Sequence, residues 1–219
     1  NSCRIPVAGE DVSTSFDPAA HQHVIVVRNG HFFAVDLVNK MTGKELSVAE
    51  IEVQLDRIMN DSRTQKMASA PVGAFTAANR DAWLKNREAL LSGPSAEQNR
   101  KALEKIESGI IVLALDSGKP VTFNERGVAV YGGDARNRFF DKQQIVVSEN
   151  GASGYIGEHS MMDGSQTLRL NNFMVSALEA GKIELGGPSS GSVLDDPEYL
   201  SFDVNADLSN ASNAAGQDF

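Results

Sequence analysis

Hydrophobic positions along the chain switch between a period of two and a helical period, and the switches lay out its elements. His23–Val27 is a β-branched run, Asn29-Gly30 supplies the positive φ angles of a tight turn, and His31–Leu37 returns. This predicts a β-hairpin, ended by Gly43. Ser47-Val-Ala-Glu50 then has capping-box form, with Val48, Ile51, Leu55, Ile58 and Met59 following at helical spacing to about Asn60. Pro71-Val-Gly73 breaks the chain. Thr76 is placed to cap a second helix through Trp83, Leu84, Arg87, Leu90 and Leu91, stopped by Gly93-Pro94, with Trp83 in the core. Ser95-Ala-Glu-Gln98 repeats the capping box and starts a helix with Leu103 and Ile106 inward.

Ile110–Leu115 is apolar at every position and ends at Asp116-Ser-Gly118. Such a run fits a central strand buried on both faces, and a helix continuing through it is the alternative, because periodicity does not separate the two. Thr122-Phe-Asn-Glu125 opens a short helix, and Tyr131–Asp134 reads as a loop. Gln144–Ser148, the Asn150-Gly151 turn and Gly154–Gly157 form a second predicted hairpin. Glu158-His159-Ser-Met-Met-Asp163-Gly164 follows, delivering a histidine to the start of a helix. Leu168, Leu170, Phe173, Met174, Ala177 and Leu178 mark that helix to about Gly181, and their stripe reads as core. Gly186–Gly191 reads as a loop and Leu200–Phe202 as a last short strand. The fold class is α/β, a mixed sheet with flanking helices. Polar residues 1–20, with Pro6 and Pro18, predict an extended lead-in; residues 21–202 form the body, and polar residues 203–219 a truncated, frayed tail.

Composition narrows the partners. Hydrophobic residues make up 41% of the 219, enough for a core and against wholesale disorder. A net charge of −9 disfavours nucleic acid or an acidic membrane surface as the main partner, while leaving room for a local basic patch. Cys3 is the only cysteine, so no intrachain disulfide forms. No run of 18 apolar residues is present, so no transmembrane segment is expected. His21, His23 and His31 flank the first turn, but no carboxylate or cysteine stands at matching spacing, and no metal site is expected there.

The chemistry centres on His159 and Asp163. Four residues apart, they share a face on a helical turn, where a carboxylate can orient an imidazole so that its neutral nitrogen accepts a proton near pH 7. Spacing alone fits a helix-start hydrogen bond as well as a catalytic base. Gly164 lets backbone or ligand pass close.

The stretch Arg136–Leu170 resembles the carnitine/choline acyltransferase family, most closely its fungal carnitine acetyltransferases. Arg138-Phe-Phe-Asp-Lys142, a strand, an acidic-Gly turn and then Glu158-His159-Ser-Met-Met-Asp163-Gly164 stand in the family's order. A looser likeness runs from Asn1-Ser-Cys-Arg-Ile-Pro6 to about Phe202. The resemblance implies the coenzyme A-dependent acyltransferase fold shared with chloramphenicol acetyltransferase, in which two similar halves meet at a tunnel, this chain being one half. It implies reversible acetyl transfer between coenzyme A and the carnitine hydroxyl. His159 would be the base, Asp163 the residue that holds the ring, and Gly164 a tunnel-lining position; Glu158 would position the strand end or a neighbouring basic residue. No tightly bound cofactor or metal is implied; acetyl-CoA is a co-substrate. The residues that meet the coenzyme phosphate, the carnitine carboxylate and the oxyanion are expected in the second half of the same polypeptide, so this chain alone is expected to be inactive. The compartment implied is mitochondrial or peroxisomal, in fatty acid metabolism. Ser165-Gln166 stands where relatives often carry Thr-Pro, and Phe139-Phe140 where one position is commonly Trp or Tyr. A choline or longer-chain carnitine acyltransferase, or a non-catalytic scaffold keeping the fold, are the alternatives.

Overall fold

The hairpin expected at Asn29-Gly30 lies inside the main sheet, with both turn residues at positive φ, 48° and 74°. The computed structural model describes residues 1–131, 133–183, 193–217 and 219. In chain order the elements are β1 (Ser2–Val7), β2 (Glu10–Ser15), β3 (His23–Arg28), β4 (His31–Asp36), α1 (Val48–Met59), α2 (Arg80–Leu90), α3 (Ala96–Ser108), β5 (Val112–Asp116), α4 (Phe123–Tyr131), β6 (Gln144–Ser148), β7 (Ser153–Ile156), α5 (Gly164–Glu179), β8 (Glu198–Leu200) and α6 (Ala206–Gln217). Short 3-10 turns occupy Ser62–Gln65, Val72–Ala77 and Ala135–Asn137.

The main sheet runs β7-β6-β5-β3-β4-β8. Its centre, β3, β5 and β6, is parallel, and the outer pairings are antiparallel. Parallel neighbours need crossovers, which the α1–α3 region and α4 supply. Alternation along β3 sends Ile25 and Val27 to one face and Val26 to the other. The first face, with Phe32, Val112, Ala114 and Val146, packs on Leu103 and Ile106 of α3, Trp83 and Leu90 of α2, and Phe75. The second, with Phe33 and Val35, packs on Ile58 of α1. The strand begins at Val112, and packing on both sides explains why Val112–Leu115 shows no alternation; Ile110 lies before the strand and is exposed.

Both ends of the chain depart from the expected polar loops. Residues 1–20 contain β1 and β2, paired from Ser2↔Ser15 to Val7↔Glu10 and turned at Gly9 (φ +86°). Cys3 and Ile5 of β1 join the main core, and charge holds the polar side: Arg4 and Arg80 both pair with Asp11, and Arg80 and the Trp83 indole also bind Asp141. At the other end, α6 is capped by Asn205, whose side chain accepts from Leu208 N at 2.9 Å. It buries Leu208 and Ser212 near the Val72–Ala77 turn, and a Cβ on Gly216 would stand 2.3 Å from Arg136 Cγ. Small residues on one face, not a hydrophobic stripe, bring this helix close.

Two predicted caps differ in detail. Thr76 caps nothing: its hydroxyl donates to Gly73 O and accepts from Phe140 N, and α2 starts later, with Asn79 accepting from Asp81 N. Ser95 precedes α3 but turns its hydroxyl to Asp203. The boxes at Ser47 and Thr122 form as expected. Tyr131 ends α4, the strand expected at Leu200–Phe202 is Glu198–Leu200, and the Gly186–Gly191 loop lies outside the described residues.

Lys142 is buried at 1% exposure, its ammonium donating to Ser2 O (2.7 Å) and Glu107 O (2.8 Å). Burial pushes its pKa down to about 8 from 10.5. The folded protein therefore gives up this proton at lower pH than the unfolded chain, so Lys142 makes stability rise with pH from about 8 towards 10.5. Burial pushes the Cys3 thiol up, which opposes this rise above the usual thiol range. In urea titrations at pH 7.5 and pH 9, wild type should gain on Lys142→Met by on the order of 1 kcal/mol at the higher pH. A gap that stays constant between the two pH values would show that the buried amine does not titrate in this window.

Candidate active site

β6 and β7 pair from Gln144↔Ile156 to Val147↔Ser153, and the turn at Gly151 (φ +79°) closes the hairpin. Past Ile156 the chain leaves the ladder, and residues 157–163 carry His159 to the first turn of α5. His159 stands in a turn before the helix, not on it. Its Nε2 lies 3.1 Å from Asp163 Oδ1. Asp163 is the N-cap residue of α5, in extended conformation, and its Oδ1 also accepts from Gly164 N at 2.6 Å. One carboxylate thus starts the helix and holds the ring. With Nε2 carrying the proton towards Asp163, the lone pair stands on Nδ1, for which no partner exists among the described residues. The side chains of His159 and Asp163 are 77% and 74% exposed.

The turn is fixed from beneath. Glu158 is buried, and its carboxylate accepts from Ser160 N (3.0 Å) and Ser160 Oγ (2.8 Å), not from a basic residue. Ser13 of β2 donates to Ser160 Oγ at 2.7 Å, tying the N-terminal hairpin to this turn. The Glu158 backbone is gripped by the Gln143 side chain: Glu158 N donates to Oε1 (3.2 Å), and Nε2 donates to Glu158 O (2.7 Å). Tyr155 Oη donates to the same Oε1 at 2.5 Å. Gln143, Tyr155, Ser13 and Ser160 carry no sequence signal of such a role; a glutamine pair opening a strand is the faintest of hints.

Gly164 has an ordinary helical start, and a Cβ there would meet open space, so nothing in this chain requires glycine at that position. Four clefts among the described residues are lined by other residues than His159, Asp163 and Gly164. The stripe on α5 is not core: against the described residues no side chain of α5 is buried, and Leu168, Phe173, Val175 and Leu178 are exposed. Helical period identifies an apolar face but not whether this chain covers it. His23 and His31 sit at opposite ends of the β3–β4 pair, His23 Nε2 meeting Lys105 O and His31 Nδ1 meeting Tyr199 Oη. Among the described residues no group of three or more His, Cys, Asp or Glu could hold a metal, and no helix is long and apolar enough to cross a membrane.

Residues 1–219 match the family model for choline/carnitine O-acyltransferase from end to end. The chain belongs to this family. The mixed α/β architecture agrees with that membership. A highly reducing polyketide synthase of Aspergillus luteorubrus is 34% identical over 181 residues, covering 82% of this chain and 5% of the synthase. The mitochondrial carnitine O-palmitoyltransferase 2 of Rattus norvegicus is 30% identical over 222 residues, covering 100% of this chain and 32% of that protein. The mitochondrial carnitine O-acetyltransferase of Saccharomyces cerevisiae is 31% identical over 182 residues, 81% of this chain and 27% of that protein. The chain spans about a third or less of the length of these relatives.

The double use of Asp163 is directly testable. Asp163→Asn keeps an N-cap acceptor, whereas Asp163→Ala removes it and should weaken the first turn of α5 by about 1 kcal/mol. Amide hydrogen exchange should show faster exchange in that turn for the alanine variant than for the asparagine variant. Equal protection in wild type and Asp163→Ala would refute the cap.

Proposed function

We propose that this chain supplies the catalytic base of a carnitine O-acyltransferase acting on acyl-coenzyme A. The observation that carries the reading is the His159–Asp163 pair, 3.1 Å apart on a solvent-facing turn within the family's ordered motif. The acceptor is a secondary hydroxyl, a poor nucleophile while protonated. Nδ1 of His159 takes that proton as the oxygen attacks the thioester carbonyl. The tetrahedral intermediate collapses, the carbon–sulfur bond breaks, and the departing thiolate takes the proton back from His159. The reverse reaction uses the same base on the coenzyme thiol. Both substrates are present together, so no acyl-enzyme is needed. Asp163 holds the ring by its Nε2–H and stabilises the imidazolium that forms.

Acetyl is the proposed acyl group, supported by likeness to the yeast carnitine O-acetyltransferase; a palmitoyltransferase at nearly equal identity makes a longer chain the competing acyl group. The named relatives of both kinds are mitochondrial, which supports that compartment, with the peroxisome as the other site for such chemistry. In this reading the rest of the polypeptide supplies the oxyanion donor and the groups that meet coenzyme phosphate and carnitine carboxylate. It also covers the apolar face of α5 and excludes water from His159, where an exposed base would otherwise work in bulk solvent. A second reading is favoured by the 34% identity to a polyketide synthase: the same base would transfer a synthase-built acyl chain to an acceptor hydroxyl. Turnover of acetyl-CoA or palmitoyl-CoA with carnitine separates the two readings.

In the intact protein, His159→Ala should lower kcat by roughly 10²–10⁴-fold with little change in KM, the range for loss of a positioned base. Asp163→Ala should lower it less, because a loosened imidazole still accepts a proton part of the time. Asp163→Glu should be milder again. Near-normal kcat in His159→Ala would place the base elsewhere.

A further inference from the structure

We infer that Gln143 is the positioning residue for the proposed base, setting the location of His159 through the backbone of the residue before it. The inference rests on the reading of His159 given above. The β6–β7 ladder ends at Gln144↔Ile156, so beyond it the chain has no strand neighbour. Glu158 is nevertheless buried, and its backbone N–H and C=O need partners there. The Gln143 amide supplies both, one acceptor and one donor, in the pairing that an adjacent strand would offer. It extends the sheet by a side chain to the peptide that leads into His159.

The amide itself is held on all sides. Gln143 is 8% exposed, and its backbone carbonyl accepts from Val112 N (3.0 Å) at the start of the central strand β5. Tyr155 Oη and Glu158 N both donate to Oε1, and a flipped amide would set its NH₂ group against the Glu158 N–H and its oxygen against the Glu158 carbonyl. An unbroken line of hydrogen bonds therefore runs from the middle of the sheet to Glu158, one peptide from the base. Asp163 sets the orientation of the ring, while Gln143 sets where its Cα stands. The two constraints are independent, and a base that must meet a hydroxyl at hydrogen-bond distance needs both.

The test compares Gln143→Met, which keeps length and burial but loses all three hydrogen bonds of the amide, with wild type, His159→Ala and the double variant, all in the intact protein. Substrates are an acyl-CoA that wild type turns over and its acceptor. We expect Gln143→Met to lower kcat roughly 10- to 100-fold with KM for both substrates nearly unchanged, the scale of an ångström-level misplacement. Because Gln143 acts through His159, the double variant should fall within about twofold of His159→Ala alone. A general loss of structure would instead raise KM and multiply with the loss in His159→Ala. Unchanged kcat in Gln143→Met, or multiplicative losses in the double variant, overturns the inference and leaves the base assignment standing. Near-normal kcat in His159→Ala overturns both. If Gln143→Met does not fold, Tyr155→Phe decides: it removes one hydrogen bond onto the same amide and should lower kcat several-fold at unchanged KM, and wild-type kcat there overturns the inference.

Discussion

The structure depends on a buried polar run, Arg138–Gln144, threaded through its centre. Arg138, Asp141, Lys142 and Gln144 are each 2% exposed or less, yet each carries a group that must be satisfied. Arg138 forks onto Asp116 at the end of β5. Asp141 accepts from Arg80 and Trp83, Lys142 reaches the carbonyls of Ser2 and Glu107, and Gln144 accepts from Phe139 N. Removing one member leaves its own partners short of a contact, Asp116 in the case of Arg138, so the run tolerates few arrangements. Through these contacts it fixes the N-terminal hairpin, α2, α3 and β5 relative to one another.

The candidate site inherits this rigidity at one remove. Gln143, the next residue in the run, ends in the peptide that precedes His159. The His159 and Asp163 side chains are open to solvent, and the described residues leave the apolar face of α5 uncovered. The chain thus presents a firmly mounted histidine on an unfinished surface. Rigidity comes from the sheet side, and the imidazole faces outward.

The elements that local rules govern were legible in the sequence. The Asn29-Gly30 and Gly151 turns, the Ser47 capping box and the apolar run of β5 each follow from backbone preference or burial over a few residues. His159 and Asp163 were legible through an ordered motif, and their 3.1 Å contact follows from a spacing that also caps a helix. What stayed hidden depends on distant partners. β1 and β2 are held by partners far along the chain, the Asp11–Arg80 ion pair and the Ser2–Lys142 hydrogen bond among them, and α6 is held by small residues that leave no hydrophobic stripe. Thr76 abandons a cap because Phe140 N claims its hydroxyl. The α5 face misled for the opposite reason: its pattern is correct, but nothing described in the chain covers it. Gln143 was invisible because its role lies in a side-chain amide standing in for a strand.

The placement of the Lys142 ammonium on Ser2 O also bears on biosynthesis. The two residues are separated by 140 positions. On a ribosome adding about 5–20 residues per second, Ser2 emerges roughly 7–28 s before the lysine that anchors it. Throughout that interval Cys3 lacks its burial and Arg4 lacks the Asp141 carbonyl that its N–H meets in the folded protein. These contacts of β1 wait on residues made more than 130 positions later. Until residue 142 is made, the Cys3 thiol and the outer edge of β1 therefore stay open to whatever the growing chain meets.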